Sequence, residues 1–192
     1  MELQILNGTL IFNSRSQQTL QLNNDRLSLD EIKKKVDELA LKINAPDNLL
    51  PGYGQLKYEA HPYIEMDNRG LMYFVISERG EVNERKKTDQ LDDLLYWIFA
   101  DVTFSMACDF ELKNRIEDKD SRRLIFEKQE ELLGILSNTW PQIENKEHKN
   151  ILKNNPFDDL AGVRATYCGE LRKKGYSESE ITKLAYDRYP AN

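Results

Sequence analysis

The stretch Thr88–Asn114, TDQLDDLLYWIFADVTFSMACDFELKN, constrains this chain more than any other. Leu91, Leu94, Leu95, Ile98, Val102 and Met106 recur at steps of three and four. Trp97, Phe99, Phe104 and Phe110 widen that stripe to most of the circumference. A helix apolar nearly all round is buried among several partners. Thr88 or Asp89 can cap its start, and Asp92 and Asp93 lie in the first turn, where the helix dipole favours carboxylates. Asp101 and Asp109 interrupt the run, so it is not a membrane span. The expectation is a buried central helix, with Trp97 and Phe104 in the core. Replacing Trp97 with Ala is then expected to cost about 3–5 kcal/mol through the cavity left behind.

What surrounds this helix sets the fold class. Residues 1–25 read as β, with Leu3, Ile5 and Thr9–Phe12 flanking the hairpin signal Asn7-Gly8, and Gln18–Leu22 a third short strand. Leu27–Asn44 is a helix: Ser28 and Glu31 form a capping box, and Ile32, Val36, Leu39, Ala40 and Ile43 share one face. Asp47–Ala60 reads as a loop, with Tyr53 and Tyr58 exposed. Pro62–Met66 and Leu71–Ser77 are strands joined by Asp67-Asn68-Arg69-Gly70. The nearly continuous apolar run Met72–Ile76 makes the second strand central and helix-covered. Glu78-Arg79-Gly80-Glu81 is a turn into a third strand, Val82–Lys86. Beyond the central helix, Ser121–Ser137 is a long helix carrying Leu124, Ile125, Gln129, Leu132, Leu133 and Leu136, and Trp140-Pro141 stops it. Ile143–Asn154 is a charged helix with few anchors. Phe157–Lys174 and Ser177–Tyr189 form a terminal pair joined by Gly175, the second with its own capping box, Ser177 and Glu180.

Strands segregated from helices predict an α+β fold: a small antiparallel sheet packed against a mostly helical bundle with a buried central helix. The expected organisation is a β-hairpin appendage over 1–25, an α+β core over 26–159, and a helix pair over 160–192 packed on that core. At 192 residues with 40% hydrophobic composition the chain has material for a real core. Its net charge of −6 disfavours non-specific binding to nucleic acid or anionic lipid and is compatible with a basic protein partner. Mild acidity is also common among cytosolic proteins. Cys108 and Cys168 are far apart and belong to no CxxC pair, which argues against structural zinc. Met1-Glu2-Leu3 opens on an acid with no apolar run behind it, and no span of about 18 apolar residues occurs. The expectation is a cytoplasmic protein with reduced thiols and no membrane contact.

Catalytic machinery is thin. Of the two histidines, His61 precedes Pro62 at a strand start and reads as structural, and His148 lies in a Lys/Glu-rich helix and reads as solvated. HExxH, GxSxG, P-loop, GxGxxG and EF-hand patterns are absent. Asp92-Asp93 and Asp158-Asp159 are adjacent carboxylates, which point about 100° apart on a helix and cannot converge unaided. Helix capping is the better reading for both. The last two helices carry Arg164, Arg172, Lys173, Lys174, Lys183 and Arg188, a helix-turn-helix-like set, but Glu170, Glu178, Glu180 and Asp187 offset most of that charge. No cofactor, metal or catalytic residue is indicated.

The informative fringe lies around the strands, where Glu65, Glu78, Arg79, Glu81, Glu84 and Arg85 fall near Tyr63 and Tyr73. Tyrosine, arginine and carboxylates in this mix suit a protein interface. A solvated hairpin rim accounts for the same residues equally well.

The run LSLDEIKKKVDELALKINAPDNLLP, followed by HPYIEMD, the Glu78-Arg79-Gly80 turn, Leu94–Trp97, Phe104–Ala107, Glu111–Glu117, Arg122–Leu124 and NPFDD, resembles the bacterial immunity protein 63 family, associated with polymorphic toxin systems. The resemblance covers roughly Leu27 to Asp159. It implies a non-enzymatic protein that binds and neutralises a cognate toxin domain, with a basic, nuclease-like toxin suiting the acidic charge. It supplies no residue-level binding map. From the residues themselves, the candidate toxin-binding set is Tyr53, Tyr63, Glu65, Glu78, Arg79, Glu81 and Arg85, with the tyrosines as anchors. Arg122 and Arg123 are a second option, unless they pair internally with Asp118, Asp120 or Glu117. Two other readings compete: an enzyme using scattered carboxylates, which needs a pocket of convergent acids, and a DNA-binding module in the C-terminal helices, which needs a continuous basic face.

Overall fold

Local signals set most element boundaries. The computed structural model describes residues 5–6, 9–10, 27–55 and 60–191. The first pair of strands, β1 (Ile5–Leu6) and β2 (Thr9–Leu10), is antiparallel, with Ile5 paired to Leu10 and Leu6 to Thr9. The expected strand over 18–22 and the exposure of Tyr58 fall outside the described residues. Helix α1 (Leu29–Ile43) starts at the Ser28–Glu31 capping box, in which each residue's side chain accepts from the other's backbone N–H. It stops at Asn44, whose φ of 53° places it in the left-handed region. A single 3₁₀ turn (Asp47–Leu49) follows, and then β3 (Gly52–Tyr53).

The main sheet adds β4 (Tyr63–Met66), β5 (Met72–Glu78) and β6 (Glu81–Thr88), in the order β3-β4-β5-β6. It is mixed rather than purely antiparallel, because the segment expected to be loop supplies β3, which pairs with β4 in parallel. Gly52 N–H donates to the Pro62 carbonyl at 2.9 Å and Gly54 N–H to that of Ile64 at 2.8 Å, closing the edge that a loop leaves open. The β5–β6 hairpin turns through Arg79 and Gly80, both at positive φ (54° and 80°), the combination a two-residue type I′ loop requires. Ile76 pairs with Glu84 while Ser77 pairs with Val82, so Asn83 is the extra residue of a β-bulge.

Five helices follow the sheet: α2 (Leu91–Asn114), α3 (Arg122–Leu136), α4 (Trp140–Asn154), α5 (Ala161–Lys173) and α6 (Glu178–Arg188). The fold is α+β. The core joins Ile32, Val36, Ala40 and Ile43 of α1, Ile64, Met72 and Phe74 of the sheet, Leu94, Leu95, Ile98, Phe99 and Val102 of α2, Leu132 and Leu133 of α3, and Trp140. Central β5 and central α2 are as the apolar runs indicate. Neither expected cap closes α2: Gln90 holds the cap position, and Thr88 instead accepts from Gln90 N–H and donates to Asp93. Asp92 accepts from the indole N–H of Trp140 at 3.3 Å.

Two expectations are corrected by packing. Trp140-Pro141 begins α4 rather than merely ending its predecessor, since proline fits the first turn, where no backbone donor is needed. Trp140 becomes a core residue, 2% exposed and stacked on Phe99 at 6.1 Å between ring centroids. Helix α2 is not covered all round: Phe104 is 46% exposed and Trp97 only partly buried at the core's edge. The sheet and α3 pack on other sides of it, and Trp140 of α4 stacks on Phe99.

The C-terminal pair is tied to the body by charge. Asp120 binds Arg122 and accepts from Asp158 N–H at 2.9 Å, and Asp159 binds Arg123 and accepts from Asp120 N–H. Arg122 also donates to the carbonyls of Asn155 and Pro156, both at 2.8 Å. Buried Arg164 pairs with Asp158, donates to the Tyr189 carbonyl and lies over the ring of Tyr186. The Asp158-Asp159 pair is therefore a cross-link between segments more than a helix cap, although Asp158 does accept from Leu160 N–H.

Candidate functional site

The sheet gathers part of the sequence-derived site set. Side chains alternate across a strand, so the pairings Tyr63–Val75–Arg85 and Glu65–Tyr73–Lys87 put these six residues on the face away from the helices. There Arg85 reaches across the central strand to Glu65 at 2.7 Å, with its guanidinium 4.3 Å from the Tyr73 ring centroid. Tyr73 donates to Asp67 at 3.2 Å. Glu78, Arg79 and Glu81 sit at the tip of the same hairpin, where the Arg79 side chain is 90% exposed and lies 3.8 Å from Glu78. Tyr53 stands apart. It packs against the core from β3, on the far edge of the sheet. Its hydroxyl is buried without a hydrogen-bond partner among the described residues. Burial, and then the charge of Asp37, push its pKa well above the usual tyrosine value. Of the seven residues, the structure brings together Tyr63, Glu65 and Arg85, places the turn residues at the end of that face, and leaves Tyr53 elsewhere.

Arg122 and Arg123 serve the internal cross-link described above. In the C-terminal pair, Arg164 is buried, Arg172 binds Glu178 through two contacts at 2.6 and 2.8 Å, and Arg188 lies over Tyr167. Half of the six cations are thus engaged inside the pair. Among the described residues no helix is long and apolar enough to cross a membrane.

The other side of the hairpin carries a second feature. Phe74 and Ile76 face the helices, so their β6 partners Lys86 and Glu84 face them too. A cleft of about 310 Å³ opens between β6, α2 and α4. Its floor is Phe74, Ile76 and Trp97, and its walls carry Phe104, Glu84, Asp101, Glu144 and Glu147. Lys86 is bonded to Glu84 at 2.7 Å, with its ammonium 6.0 Å from the Trp97 ring centroid. Burial, reinforced by Glu84, raises the Asp101 carboxyl above the usual aspartate value, against the opposing pull of His61 and Lys86.

Behind the cleft lies a buried polar network built on His148. This histidine is 4% exposed, not solvated, because α4 turns it into α3. It stacks on Phe126 with ring centroids 3.8 Å apart. Its Nδ1 lies 2.7 Å from Glu130 and its Nε2 3.1 Å from the Gln129 carbonyl oxygen and 3.4 Å from Glu144. Tyr96 donates to Glu144 at 2.9 Å, and Gln129 donates to the Ala100 carbonyl. Burial pulls the imidazole pKa down, but the bonds and charges of Glu144 and Glu130 outweigh it and hold it above the usual value. The sequence signal for this network was weak: α4 reads as polar all round, and only packing selects which polar residue turns inward.

The comparisons bear on residues 67–150, which match the family model described as Immunity protein 63. No curated protein and no solved structure matches the chain. The match covers β5, β6, α2 and α3 and reaches into α4, and every residue lining the cleft lies inside it, as do Glu78, Arg79, Glu81 and Arg85. Tyr53, Tyr63 and Glu65 precede it. Over this central segment, which carries the strand hairpin and the core helix, the chain is similar to the Immunity protein 63 family.

Proposed function

We propose that this protein is a cytoplasmic immunity factor that binds a cognate bacterial toxin domain and neutralises it by occupancy, without catalysis. The observation that carries the reading is the family match over the segment that builds the hairpin and the central helix. The surface chemistry supports it. Tyr63, Glu65, Tyr73 and Arg85 form an ordered, half-exposed patch of the composition found at interface centres. Neighbouring Arg79 projects from the turn. The net charge of −6 suits a basic toxin domain, such as a nuclease, since opposite charges speed association.

The test is co-expression with the toxin domain encoded beside the gene. A stoichiometric complex and loss of the toxin's activity are expected, with an association rate that falls as salt is added. A rate insensitive to ionic strength refutes the basic-partner part of the reading.

A further inference from the structure

The cleft between β6, α2 and α4 has a composition that the outer sheet face lacks. On the outer face the charges answer one another: Glu65 holds Arg85, and Asp67 holds Tyr73. In the cleft, Asp101 and Glu147 make no hydrogen bond or ion pair among the described residues, and Phe104 is a large aromatic side chain 46% exposed at its mouth. Trp97, Asp101 and Phe104 fall at intervals of four and three on α2, so they share one side of the helix. The core takes the opposite side. Of the four carboxylates that line it, Glu84 holds Lys86 and Glu144 is held by His148 and Tyr96, which leaves Asp101 and Glu147.

Lys86 itself shows what this lining accepts. It lies over the Trp97 ring, at cation–π range, with Glu84 as its counter-ion. That arrangement uses one carboxylate at bonding distance; Asp101 feels Lys86 and His61 through space only, and among the described residues neither it nor Glu147 is bonded to a cation. A volume of about 310 Å³ is at the bottom of the range for small-molecule sites, about 300–1,000 Å³, and is suited to a long side chain entering from a partner. An arginine fits better than a lysine: its planar guanidinium stacks on an aromatic face while its N–H groups fork toward carboxylates, and it is less strongly hydrated.

We infer that the cleft receives an arginine side chain of the toxin, stacked between Trp97 and Phe104 and bonded to Asp101 and Glu147. This rests on the immunity reading above and adds to it the contact and the chemistry of the partner residue. The cleft then acts as a buried anchor, and the exposed hairpin as the surrounding surface.

The test uses the full chain labelled with ¹⁵N, whose two tryptophans give two indole N–H signals. Trp140 is a core residue bonded to Asp92 and serves as the reference, and Trp97 reports on the cleft. Nα-acetylarginine amide and the toxin domain encoded beside the gene are each expected to move the Trp97 signal and leave Trp140 still. Phe104→Ala, and separately Asp101→Asn combined with Glu147→Gln, are expected to weaken toxin binding at least tenfold while both indole signals keep the dispersion of a folded chain. Unchanged toxin affinity in both variants, or a Trp97 signal that stays still in both titrations, overturns the cleft and leaves the immunity reading standing. A wild-type chain that fails to bind an active toxin overturns that reading and the cleft's role with it.

Discussion

Replacing His148 with Gln isolates the buried network and makes stability depend on pH in a defined direction. Both ring nitrogens face oxygen acceptors: Glu130 on one side, Gln129 and Glu144 on the other. Gln129 presents its oxygen because its amide nitrogen is committed to the Ala100 carbonyl. Only the doubly protonated ring satisfies all of them. The native pKa is therefore held above the ordinary 6.5. A raised folded-state pKa gives stability that is complete below the unfolded value and is lost as pH rises through the folded one. Glutamine cannot reproduce this, although Asn145 still serves Glu130 and Tyr96 still serves Glu144. Losing the charged hydrogen bonds and the Phe126 stack is expected to cost about 2–3 kcal/mol at about pH 6. The gap between wild type and H148Q narrows as pH rises from the unfolded pKa through the folded one, with a slope of at most about 1.4 kcal/mol per pH unit between the two. Urea unfolding followed by tryptophan fluorescence measures it. A gap that is constant with pH, or that widens, refutes the assignment of an imidazolium.

Four further outcomes follow from the packing and the ion pairs. Trp140→Ala removes a core ring and is expected to cost about 3–5 kcal/mol, a fall in Tm on the order of 10 °C by calorimetry. Phe104→Ala, on the exposed side of α2, is expected to stay within about 0.5 kcal/mol of wild type in the same scan. Gly80→Ala meets no atom within 4 Å, so its expected loss of about 1–2 kcal/mol is purely the strain of a side chain at a φ of 80°, read as a lower urea midpoint. The Arg122 bond and burial-opposing backbone donors hold Asp120 down from 3.8 to about 2, so its contribution is present above pH 3.8 and lost toward pH 2. An acid titration of Asp120→Asn should therefore show a shallower stability loss over that window than wild type.

What was legible in the sequence was local. The two capping boxes, Ser28 with Glu31 and Ser177 with Glu180, close within three residues, and both helices start where those pairs place them. The Arg79-Gly80 turn and the apolar run of β5 likewise carry their own instructions. What was not legible depends on contacts distant in the chain. An all-round apolar helix does not say which arc its partners leave bare, so Phe104 reads as core until the sheet and α3 are in place. His148 reads as solvated because the residues that bury it, Phe126, Gln129 and Glu130, lie on another helix. The short strand at Gly52–Tyr53 exists only through its partner at Tyr63–Ile64. Of the candidate binding residues, nearness in sequence suggested a cluster around the strands, and the strand register sets Tyr63, Glu65 and Arg85 on one face. Tyr53 needed the parallel pairing to be placed.

On the proposed function, this protein acts by binding a toxin. The most direct measurement is titration calorimetry of the purified chain against the toxin domain encoded beside it, paired with an assay of that toxin's activity. A one-to-one complex with nanomolar affinity, about −12 kcal/mol, is expected, with activity that falls in step with occupancy. An active toxin that gives no heat of binding and keeps its activity at saturating protein contradicts it.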